Sequence, residues 1–440
     1  MINCFGYVAL SIIALFASDY YATAFKWAQP VLFGELVVML WLLIKGAKVP
    51  AESMVTASAR AGIGFVWPMK IKPILKWSVR VILVALLLSI LAGFIAYWRS
   101  TNDCGRSIPP GVERMNAIEY CEYGPPDVLK IDEIEKPVPK DNEVLVRVRA
   151  ASLNSLEAVI IRDLWIIRLM SGLRKPKITR FGRDFAGVVE AVGTSVTEFK
   201  AGDEVFGVKW GAVAQYVCVL EQRAVVSKPA NISFEQAGAV GVAGLTALQG
   251  LRNAGKIHAG QKVLINGASG GVGTFALQIA KAFGTEVTAV CSTRNVEMAR
   301  SLGADHVIDY TKEDFTKSDQ RYDLLFDNVG NRSFSERRQI LKPDGVCVLA
   351  GLGSMGAIDD SLSRIAGIFA ASLQSRFVNQ RFERYTTTFN KADLTFLRDL
   401  IAEGKVTPVV EKTYPVGETA EAVRYLQQGH VRGKIVINLD

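Results

Sequence analysis

The stretch QKVLINGASGGVGTFALQIAKAFGTEVTAVCSTRN, residues 261–295, decides the fold of the larger part of this chain. It opens on the apolar run 263–265, which is typical of a strand buried on both faces of a sheet. Four glycines follow, at positions 267, 270, 271 and 273. The spacing then predicts a helix over 272–283 and a second apolar strand over 287–290. Strand, glycine turn, helix and strand in this order predict a βαβ unit of a parallel sheet.

The glycine turn has the chemistry of a dinucleotide-binding site. At a helix N-terminus, backbone N–H groups and the positive end of the helix dipole can bind a pyrophosphate. Glycine is needed because a side chain there would hold the backbone away from the phosphates. A glycine-rich turn of some other α/β domain is the alternative, but here the flanking strand, helix and strand support a cofactor site. The predicted cofactor contacts are Ala268, Ser269, Gly270, Gly271, Val272 and Gly273.

The end of the second strand predicts which cofactor is bound. NAD-binding folds place Asp or Glu there, to accept hydrogen bonds from the ribose 2′-hydroxyl. This chain has Cys291, Ser292, Thr293 and Arg294 instead, so no acid is present to repel a 2′-phosphate. Ser292 can donate a hydrogen bond, and the guanidinium of Arg294 suits a phosphate. We therefore predict NADPH, bound by Ser292, Thr293 and Arg294; the alternative for Arg294 is a solvated arginine at a helix start.

Apolar patterning divides the rest of the chain after residue 98 into a linker and two further regions. Residues 99–114 are polar, with two prolines and two glycines, as in a linker. Alternating residues predict a strand over 143–150, and strands over 184–193 and 200–207 follow between glycine turns. From residue 234 the pattern changes to helices alternating with strands, and a last helix-rich stretch ends in a strand over 434–438. The fold class is therefore α/β, with a β-rich region before a parallel sheet.

Residues 1–98 are predicted to be an α-helical membrane region. The segment VILVALLLSILAGFIAYW, residues 81–98, has eighteen uncharged residues, basic flanks and interfacial aromatics, which predicts a transmembrane helix. Two shorter apolar runs, 5–17 and 31–44, fall below the about 18 to 20 residues that cross hydrocarbon alone. They could still cross the bilayer or form a hairpin within it. The first could also be a signal-peptide core, although it lacks a basic leader.

The charges beside these runs leave a conflict over the side of the membrane. Residues 45–80 are strongly basic, which predicts a cytoplasmic location by the positive-inside rule. One crossing at 81–98 would then place the following residues on the opposite side, where NADPH is scarce. Because the cofactor is needed for function, we predict a membrane protein whose catalytic domain lies on the cytoplasmic side.

Charge and cysteine content limit the classes of partner. The net charge is +8, but many basic residues sit beside the apolar runs, and no basic block interleaved with aromatics follows, so nucleic-acid binding is not expected. The six cysteines form no CxxC and no pair at metal-ligand spacing. They are predicted to be buried or exposed free thiols, typical of a reducing compartment. With three histidines (258, 306 and 430), predicted to be structural or exposed, we expect no metal site.

From about residue 115 to the C-terminus the chain resembles the medium-chain dehydrogenase/reductase superfamily, in its zinc-free quinone oxidoreductase (zeta-crystallin-like) branch. The resemblance rests on ordered motifs: YGPPDVL (123–129), ASLN (151–154), 182–193, GDEV (202–205), GLTA (244–247), the glycine turn and GKIV (433–436). It implies a GroES-like catalytic domain (115–237 and 376–440), a Rossmann NADPH-binding domain (238–375) and an active site in the cleft between them. It also implies a homodimer formed through the Rossmann domain.

The resemblance also implies roles for individual residues. Asn154 and Thr246 would be the catalytic residues, beside the nicotinamide and its ribose. Lys434 would close over the cofactor from the C-terminal strand, and Tyr310 would approach the adenosine phosphate end. Further contacts with the nicotinamide half would come from Asn328, Gly330, Gly351 and Gly353. Two alternatives stay open: Asn154 could simply cap a turn, and Lys434 could be a surface lysine.

The reaction implied is hydride transfer without metal. Zinc-dependent relatives need Cys or His ligands near positions 154 and 184 and a Gly-His-Glu where Gly182-Arg183-Asp184 stands, and none is here. A quinone or an α,β-unsaturated carbonyl suits such a site because its acceptor is already activated. Arg162, Trp165 and residues 169–173 are predicted to line the mouth for a lipophilic acceptor or to meet a membrane.

The segment after Asn154 leaves alternatives open. The family usually has Pro-x-Asp and then an aromatic residue, where this chain has SLEAVI (155–160). We predict a membrane-tethered NADPH-dependent oxidoreductase that reduces a quinone or an enone. The alternatives are an alkenal or enone reductase for which quinones are incidental, and a non-catalytic NADPH-binding module that regulates a membrane partner.

Overall fold

The computed structural model describes residues 101–350 and 378–439, with residues 84, 87–89, 91, 93–95 and 97–98 before them. Every described residue between 84 and 98 is helical and exposed to solvent. Within the described residues, no helix is long and apolar enough to span a bilayer. The remainder of the predicted membrane region, and the predicted contacts Gly351 and Gly353, lie outside the described residues. From Leu88 onward the chain forms one compact unit.

A parallel sheet of six strands forms the Rossmann part of this unit. Its strands lie in the order β10-β9-β8-β11-β12-β13, and every neighbouring pair is parallel. The strands are β8 (Lys262–Asn266), β9 (Glu286–Cys291), β10 (His306–Asp309), β11 (Tyr322–Asp327), β12 (Leu341–Leu349) and β13 (Arg381–Arg384). The central strands are almost wholly apolar because helices cover both faces of a parallel sheet.

A largely antiparallel sheet of seven strands forms the GroES-like part. Its order is β14-β15-β3-β4-β5-β7, with β6 paired to β3. The strands are β3 (Glu143–Ser152), β4 (Asp184–Val192), β5 (Glu204–Val208), β6 (Tyr216–Leu220), β7 (Val225–Ser227), β14 (Val410–Pro415) and β15 (Lys434–Asn438). A separate hairpin pairs β1 (Arg114–Glu119) with β2 (Lys130–Glu135). Strand β15 brings the C-terminus back to β3, which places Lys434 beside the first domain.

Nine α-helices are found in the ranges 101–350 and 378–439. They are α1 (Ser155–Ile160), α2 (Trp165–Ser171), α3 (Phe234–Gly238), α4 (Gly241–Gln249), α5 (Gly271–Ala282), α6 (Val296–Ser301), α7 (Phe334–Gln339), α8 (Lys391–Ala402) and α9 (Thr419–Gln427). Helix α5 is buried along most of its length because it packs its apolar residues, including Phe275 and Ile279, into the core beneath the parallel sheet. This packing fixes the helix N-terminus at the carboxyl end of β8.

The structure places the return to the first domain later than residue 376. Strand β13 pairs in parallel with β12 and so extends the Rossmann sheet. Leu394 and Leu397 of α8 are buried in the Rossmann core as well. The predicted boundary is therefore too early, because the polar sequence of β13, RFER, gives no signal of a buried parallel strand.

The cysteine prediction is wrong for two residues. Cys104 and Cys121 form a disulfide, with 17 residues of separation, between the predicted linker and the segment that follows β1. Cys218, Cys291 and Cys347 are free, and burial raises the pKa of the Cys218 and Cys291 thiols to about 11. The spacing of the bonded pair carries no signal because the contact forms only when the linker folds back onto the domain.

Candidate functional site

The glycine turn between β8 and α5 is held tightly against its own strand. Gly267 has φ +81°, a left-handed conformation that favours glycine. The N–H groups of Gly267 and Ala268 donate to the carbonyl of Val290, at 3.2 and 3.0 Å. A Cβ on Gly273 would lie 2.0 Å from the carbonyl oxygen of Gly267, so the helix can approach the strand only with glycine there. The turn therefore depends on its glycines for its shape.

The N-terminus of α5 fits a pyrophosphate. Gly270 is its N-cap residue and provides no side-chain cap, so no side chain fills the place beside the first-turn N–H groups. A Cβ on Gly270 would meet only the carbonyl oxygen of Gly267, at 3.8 Å, which shows open space over the turn. Backbone donors, a twelve-residue helix dipole and this space suit the diphosphate of a dinucleotide.

The C-terminal strand reaches this turn from the other domain. The N–H of Gly433 donates to the carbonyl of Ser269 at 2.8 Å, and Gly433 forms a parallel bridge with Gly270. A Cβ on Gly271 would lie 2.9 Å from Cδ of Lys434. Lys434 therefore passes directly over the start of α5, at the edge of the predicted cofactor site.

Lys434 is the centre of a buried polar network. Its side chain is 4% exposed, and Nζ donates to the carbonyl of Leu153 (2.9 Å) and to Oδ1 of Asn154 (2.6 Å). Nζ also lies 3.3 Å from Oδ2 of Asp184, which accepts from Oγ of Ser152 at 2.9 Å. A buried ammonium is tolerated because these acceptors replace its water. Lys434 is thus buried, and the alternative that it is a surface lysine is excluded.

Asn154 belongs to the same network and also caps α1. Its Nδ2 donates to Asp184 at 3.0 Å and to Oε1 of Glu157 at 3.2 Å. The N–H of Asn154 donates to Oε2 of Glu157 at 2.9 Å, so the two residues form a capping box. The capping alternative for Asn154 is therefore confirmed, and its role in the site stays a prediction.

Glu157 and Arg183 are site residues that the sequence interpretation did not assign. Burial and then the neighbouring Asp184 charge raise the pKa of Glu157 to about 7. Arg183 Nε lies 3.9 Å from Glu157 Oε1, and its guanidinium stacks on the ring of Trp210 at 3.6 Å. Burial lowers the pKa of Arg183. The Asn-x-x-Glu spacing was the available signal for Glu157, since it marks a capping box.

Thr246 lies on α4, on the Rossmann side of the site. Its Oγ1 is 3.0 Å from Oγ1 of Thr387, and its carbonyl accepts a 2.5 Å hydrogen bond from the hydroxyl of Tyr385. Asp184 links this helix to the network, because its Oδ1 accepts from the N–H of Val242 at 2.7 Å. The two predicted catalytic residues, Asn154 and Thr246, are thus held on opposite sides of one junction between the domains.

The predicted adenosine end lies at the close of β9. Ser292 accepts from Asn295 Nδ2 at 3.2 Å, and Thr293 donates to Asp309 at 2.5 Å. That hydrogen bond is the largest cause that lowers the pKa of Asp309 to about 2. Arg294 is 53% exposed; its guanidinium donates to the carbonyl of His430 and lies 3.9 Å from Glu411. Arg294 therefore contacts the C-terminal segment, and its role at the cofactor stays a prediction.

The remaining predicted contacts lie near the carboxyl ends of the strands. Tyr310 follows β10 and is 52% exposed. Asn328 follows β11 and donates its N–H to the carbonyl of Asn266 at 3.1 Å, while the N–H of Gly330 donates to Asp327 at 2.8 Å. Binding at this edge is the general rule for open α/β sheets. No group of three or more His, Cys, Asp or Glu residues able to hold a metal ion occurs within the described parts of the chain.

A glycine turn at the N-terminus of a Rossmann helix, closed by a buried lysine from a GroES-like domain, defines a nicotinamide-dependent oxidoreductase with two domains. Family profiles agree with this class. The profile described as "Alcohol dehydrogenase GroES-like domain" matches residues 140–230, and that described as "Zinc-binding dehydrogenase" matches residues 302–437.

Individual relatives cover nearly the whole described chain. The mitochondrial NAD(P)H oxidoreductase RTN4IP1 of Bos taurus is 32% identical over 381 residues, 78% of this chain and 96% of the relative. The chloroplastic NADPH-dependent alkenal/one oxidoreductase of Arabidopsis thaliana is 33% identical, covering 75% of this chain and 80% of the relative. A solved quinone oxidoreductase from Coxiella burnetii has 30% identity and a TM-score of 0.64, covering 74% of this chain and 100% of that structure. The chain belongs to the medium-chain dehydrogenase/reductase superfamily, as the sequence motifs predicted.

Proposed function

We propose that the protein is a membrane-tethered, NADPH-dependent reductase that transfers hydride to a quinone or an α,β-unsaturated carbonyl without zinc. One observation carries this proposal. Lys434 passes over the start of α5 and hydrogen-bonds Asn154 at 2.6 Å, so a single buried side chain joins the cofactor turn to the catalytic domain. The printed names of the relatives, an NAD(P)H oxidoreductase and an NADPH-dependent alkenal/one oxidoreductase, support the same reaction class.

The residues at the place of a catalytic zinc do not fit the metal. Arg183 stands where the zinc-dependent relatives have a histidine ligand, and a guanidinium is a cation without a free electron pair. The neighbouring Asn154 and Asp184 are already bonded to Lys434. Lys434, Asn154 and Asp184 thus use their polar atoms in hydrogen bonds with one another, so no step of the proposed reaction uses zinc.

The residues of the chain bind the cofactor, orient the nicotinamide and the acceptor, and shield them from water. When bound, the reduced nicotinamide supplies the hydride. The N-terminus of α5 holds the diphosphate, and Thr246 and Asn154 flank the position that the resemblance implies for the nicotinamide. Lys434 and Asp184 fix Asn154, because both of its side-chain polar atoms are engaged within the buried network. Most of the catalytic gain then comes from orientation in a dry cleft.

The acceptor is proposed to be lipophilic. Helix α2 carries Trp165, which is 55% exposed, and Arg168, which is ion-paired with Asp163 at 2.5 Å. Arg174, just after α2, stacks over the ring of Trp98 at 5.1 Å. Leu87, Phe94 and Trp98 of the preceding helix are more than half exposed, which suits an apolar surrounding better than water. Together these groups place aromatic and basic side chains beside one another, as at a membrane surface.

A panel of acceptors tests the proposed function. NADPH oxidation followed by absorbance should be stimulated by quinones or by enones, and treatment with a strong zinc chelator should leave the rate unchanged. Stimulation by enones alone would identify an enone reductase for which quinones are incidental. NADPH binding without oxidation by any acceptor would contradict the reductase and leave a cofactor-binding module.

We further propose a homodimer formed through the Rossmann domain. Strand β13 ends the six-stranded sheet, and no described strand pairs with its outer edge. Such an edge is a ready site for pairing with a second copy. Sedimentation in detergent should give the mass of two chains, and a proline at Phe382 should yield single chains with the cofactor still bound.

A further inference from the structure

An arginine with no hydrogen-bond partner for one buried nitrogen stands at the domain junction. Nε of Arg183 is buried, and no described residue accepts a hydrogen bond from it. The side chain is only 14% exposed, which is low for arginine. A buried N–H donor without a partner is destabilising, so it calls for an explanation.

The position of the guanidinium is fixed on three sides. It stacks on the ring of Trp210 at 3.6 Å and faces Phe389 at 5.8 Å. The third neighbour is Glu157, whose Oε1 is 3.9 Å from Nε, too far for a hydrogen bond. Aromatic stacking therefore holds the cation in place, while Nε has no hydrogen-bond partner in the guanidinium plane within the described chain.

Both predicted catalytic residues are connected to Arg183. On one side, the carboxyl of Glu157 accepts hydrogen bonds from the N–H and from Nδ2 of Asn154. On the other, Phe389 follows Thr387, whose hydroxyl is 3.0 Å from that of Thr246. Arg183 is therefore near Glu157, which bonds Asn154, and near the segment 387–389, which contacts Thr246.

We propose that Arg183 binds the carbonyl oxygen of the acceptor and stabilises the negative charge that forms on it. This proposal rests on the proposed function and adds the group that recognises the substrate. Hydride addition to the β-carbon of an enone moves the alkene electron pair toward the carbonyl, whose oxygen becomes an enolate. The enolate oxygen accepts a hydrogen bond from the guanidinium, and the α-carbon then takes one proton from water. For a quinone the same donor meets the oxygen that becomes a phenolate.

Kinetics of matched variants give the first test. R183Q in the full chain should lower kcat/KM for enones and quinones by about 10²–10³-fold, mostly through kcat, since an oxyanion donor acts in the transition state. R183K should recover part of the loss, because lysine keeps the charge but not the planar fork. R180Q is the control, since Arg180 is three residues away and 48% exposed, and it should behave as wild type.

A chromogenic oxyanion probe gives a readout that does not depend on turnover. With NADP⁺ present, 4-nitrophenol bound to the wild-type protein or R180Q should ionise at lower pH than in free solution, as seen in its phenolate absorbance. R183Q should abolish that shift and R183K should retain part of it. An unchanged shift in a folded R183Q protein that still binds NADPH would overturn the role of Arg183. A wild-type protein that shifts the phenol but reduces no acceptor would contradict the proposed function alone.

Discussion

Glu157 is 2% exposed, and one other acid, Asp184, and two cations, Lys434 and Arg183, act on its carboxyl. Burial raises its pKa to about 7, the Asp184 charge adds to that rise, and Lys434 and Arg183 oppose it. The folded protein therefore holds a proton on Glu157 between about pH 4.5 and 7, where the unfolded chain loses it. Because the folded state binds more protons in this window, stability falls as the pH rises through it.

The variant E157Q should remove that dependence on pH. Its free energy of unfolding should fall less between pH 4.5 and 7 than that of the wild type, by up to about 3 kcal/mol. Glutamine keeps the cap on Asn154, so the fold should be retained. Denaturant unfolding across this pH range measures the difference, with the exposed Glu313→Gln as control. Parallel curves for E157Q and the wild type would show that Glu157 is ionised throughout.

Arg294 supports the proposed preference for NADPH. Arg294 follows β9 three residues after Cys291, its guanidinium contacts the carbonyl of His430, and no acid occupies residues 291–295. R294Q should raise the KM for NADPH by about 10-fold or more while changing that for NADH little, since a charge-assisted bond to phosphate contributes about 1.5 to 3 kcal/mol. Steady-state kinetics with both cofactors measure this, and equal changes would remove Arg294 from the 2′-phosphate site.

At this scale the sequence motifs indicated which residues meet at the domain junction, but not the contacts that hold them there. Asn154, Thr246 and Lys434 were found from motifs, and the structure places them at one junction. Arg183 was seen only as a missing zinc ligand, because stacking on Trp210 and a lost hydrogen bond depend on residues distant in sequence. Contacts between residues distant in sequence leave no local pattern from which they could be predicted.

Among the elements, β8, the glycine turn and α5 behave as one unit whose glycines have separable roles. A Cβ on Gly273 would collide with the backbone of Gly267, whereas one on Gly270 would meet open space. G273A should therefore destabilise the protein by about 1 to 3 kcal/mol. G270A should change stability by about 1 kcal/mol or less, yet weaken NADPH binding by about 10-fold because the added methyl enters the proposed diphosphate site.

Thermal unfolding and nicotinamide fluorescence separate the two effects. Normal NADPH affinity in G270A would show that the diphosphate binds elsewhere. Unchanged stability in G273A would show that the turn can move away from β8. Each variant serves as the other's control, since both add one methyl to the same turn.

Element boundaries were predicted well where periodicity was strong. The expected helix over 272–283 is Gly271–Ala282, and the last strand, Lys434–Asn438, agrees with its prediction. The strand expected from residue 200 begins instead at Glu204, because Lys200 and Asp203 close a turn through two hydrogen bonds. Side-chain to backbone bonding competed with strand pairing there.

For the whole molecule, the disulfide changes which cellular compartment we expect for the catalytic unit. Cys104 and Cys121 are bonded, although scattered cysteines had suggested a reducing compartment. Disulfides persist where thiol reductants are kept away, which the cytoplasm does not allow. The basic residues 45–80 favour the same conclusion: if 81–98 crosses the membrane once, they leave the catalytic unit on the opposite side. The need for NADPH favours the cytoplasm, and Arg99, Arg106 and Arg114 oppose the charge bias in part.

We therefore predict that Cys104 and Cys121 are disulfide-bonded in cells and that the catalytic unit lies outside the cytoplasm. In living cells treated with a membrane-permeant maleimide before lysis, Cys104 and Cys121 should resist labelling until a reductant is added. A C-terminal reporter that is active only outside the cytoplasm should then be active, and such an enzyme would draw on NADPH supplied on that side. Labelling of both thiols with an inactive reporter would instead restore the cytoplasmic location expected from the cofactor. C104S, which cannot form the bond, is the control for labelling, because Cys121 should then react without reductant.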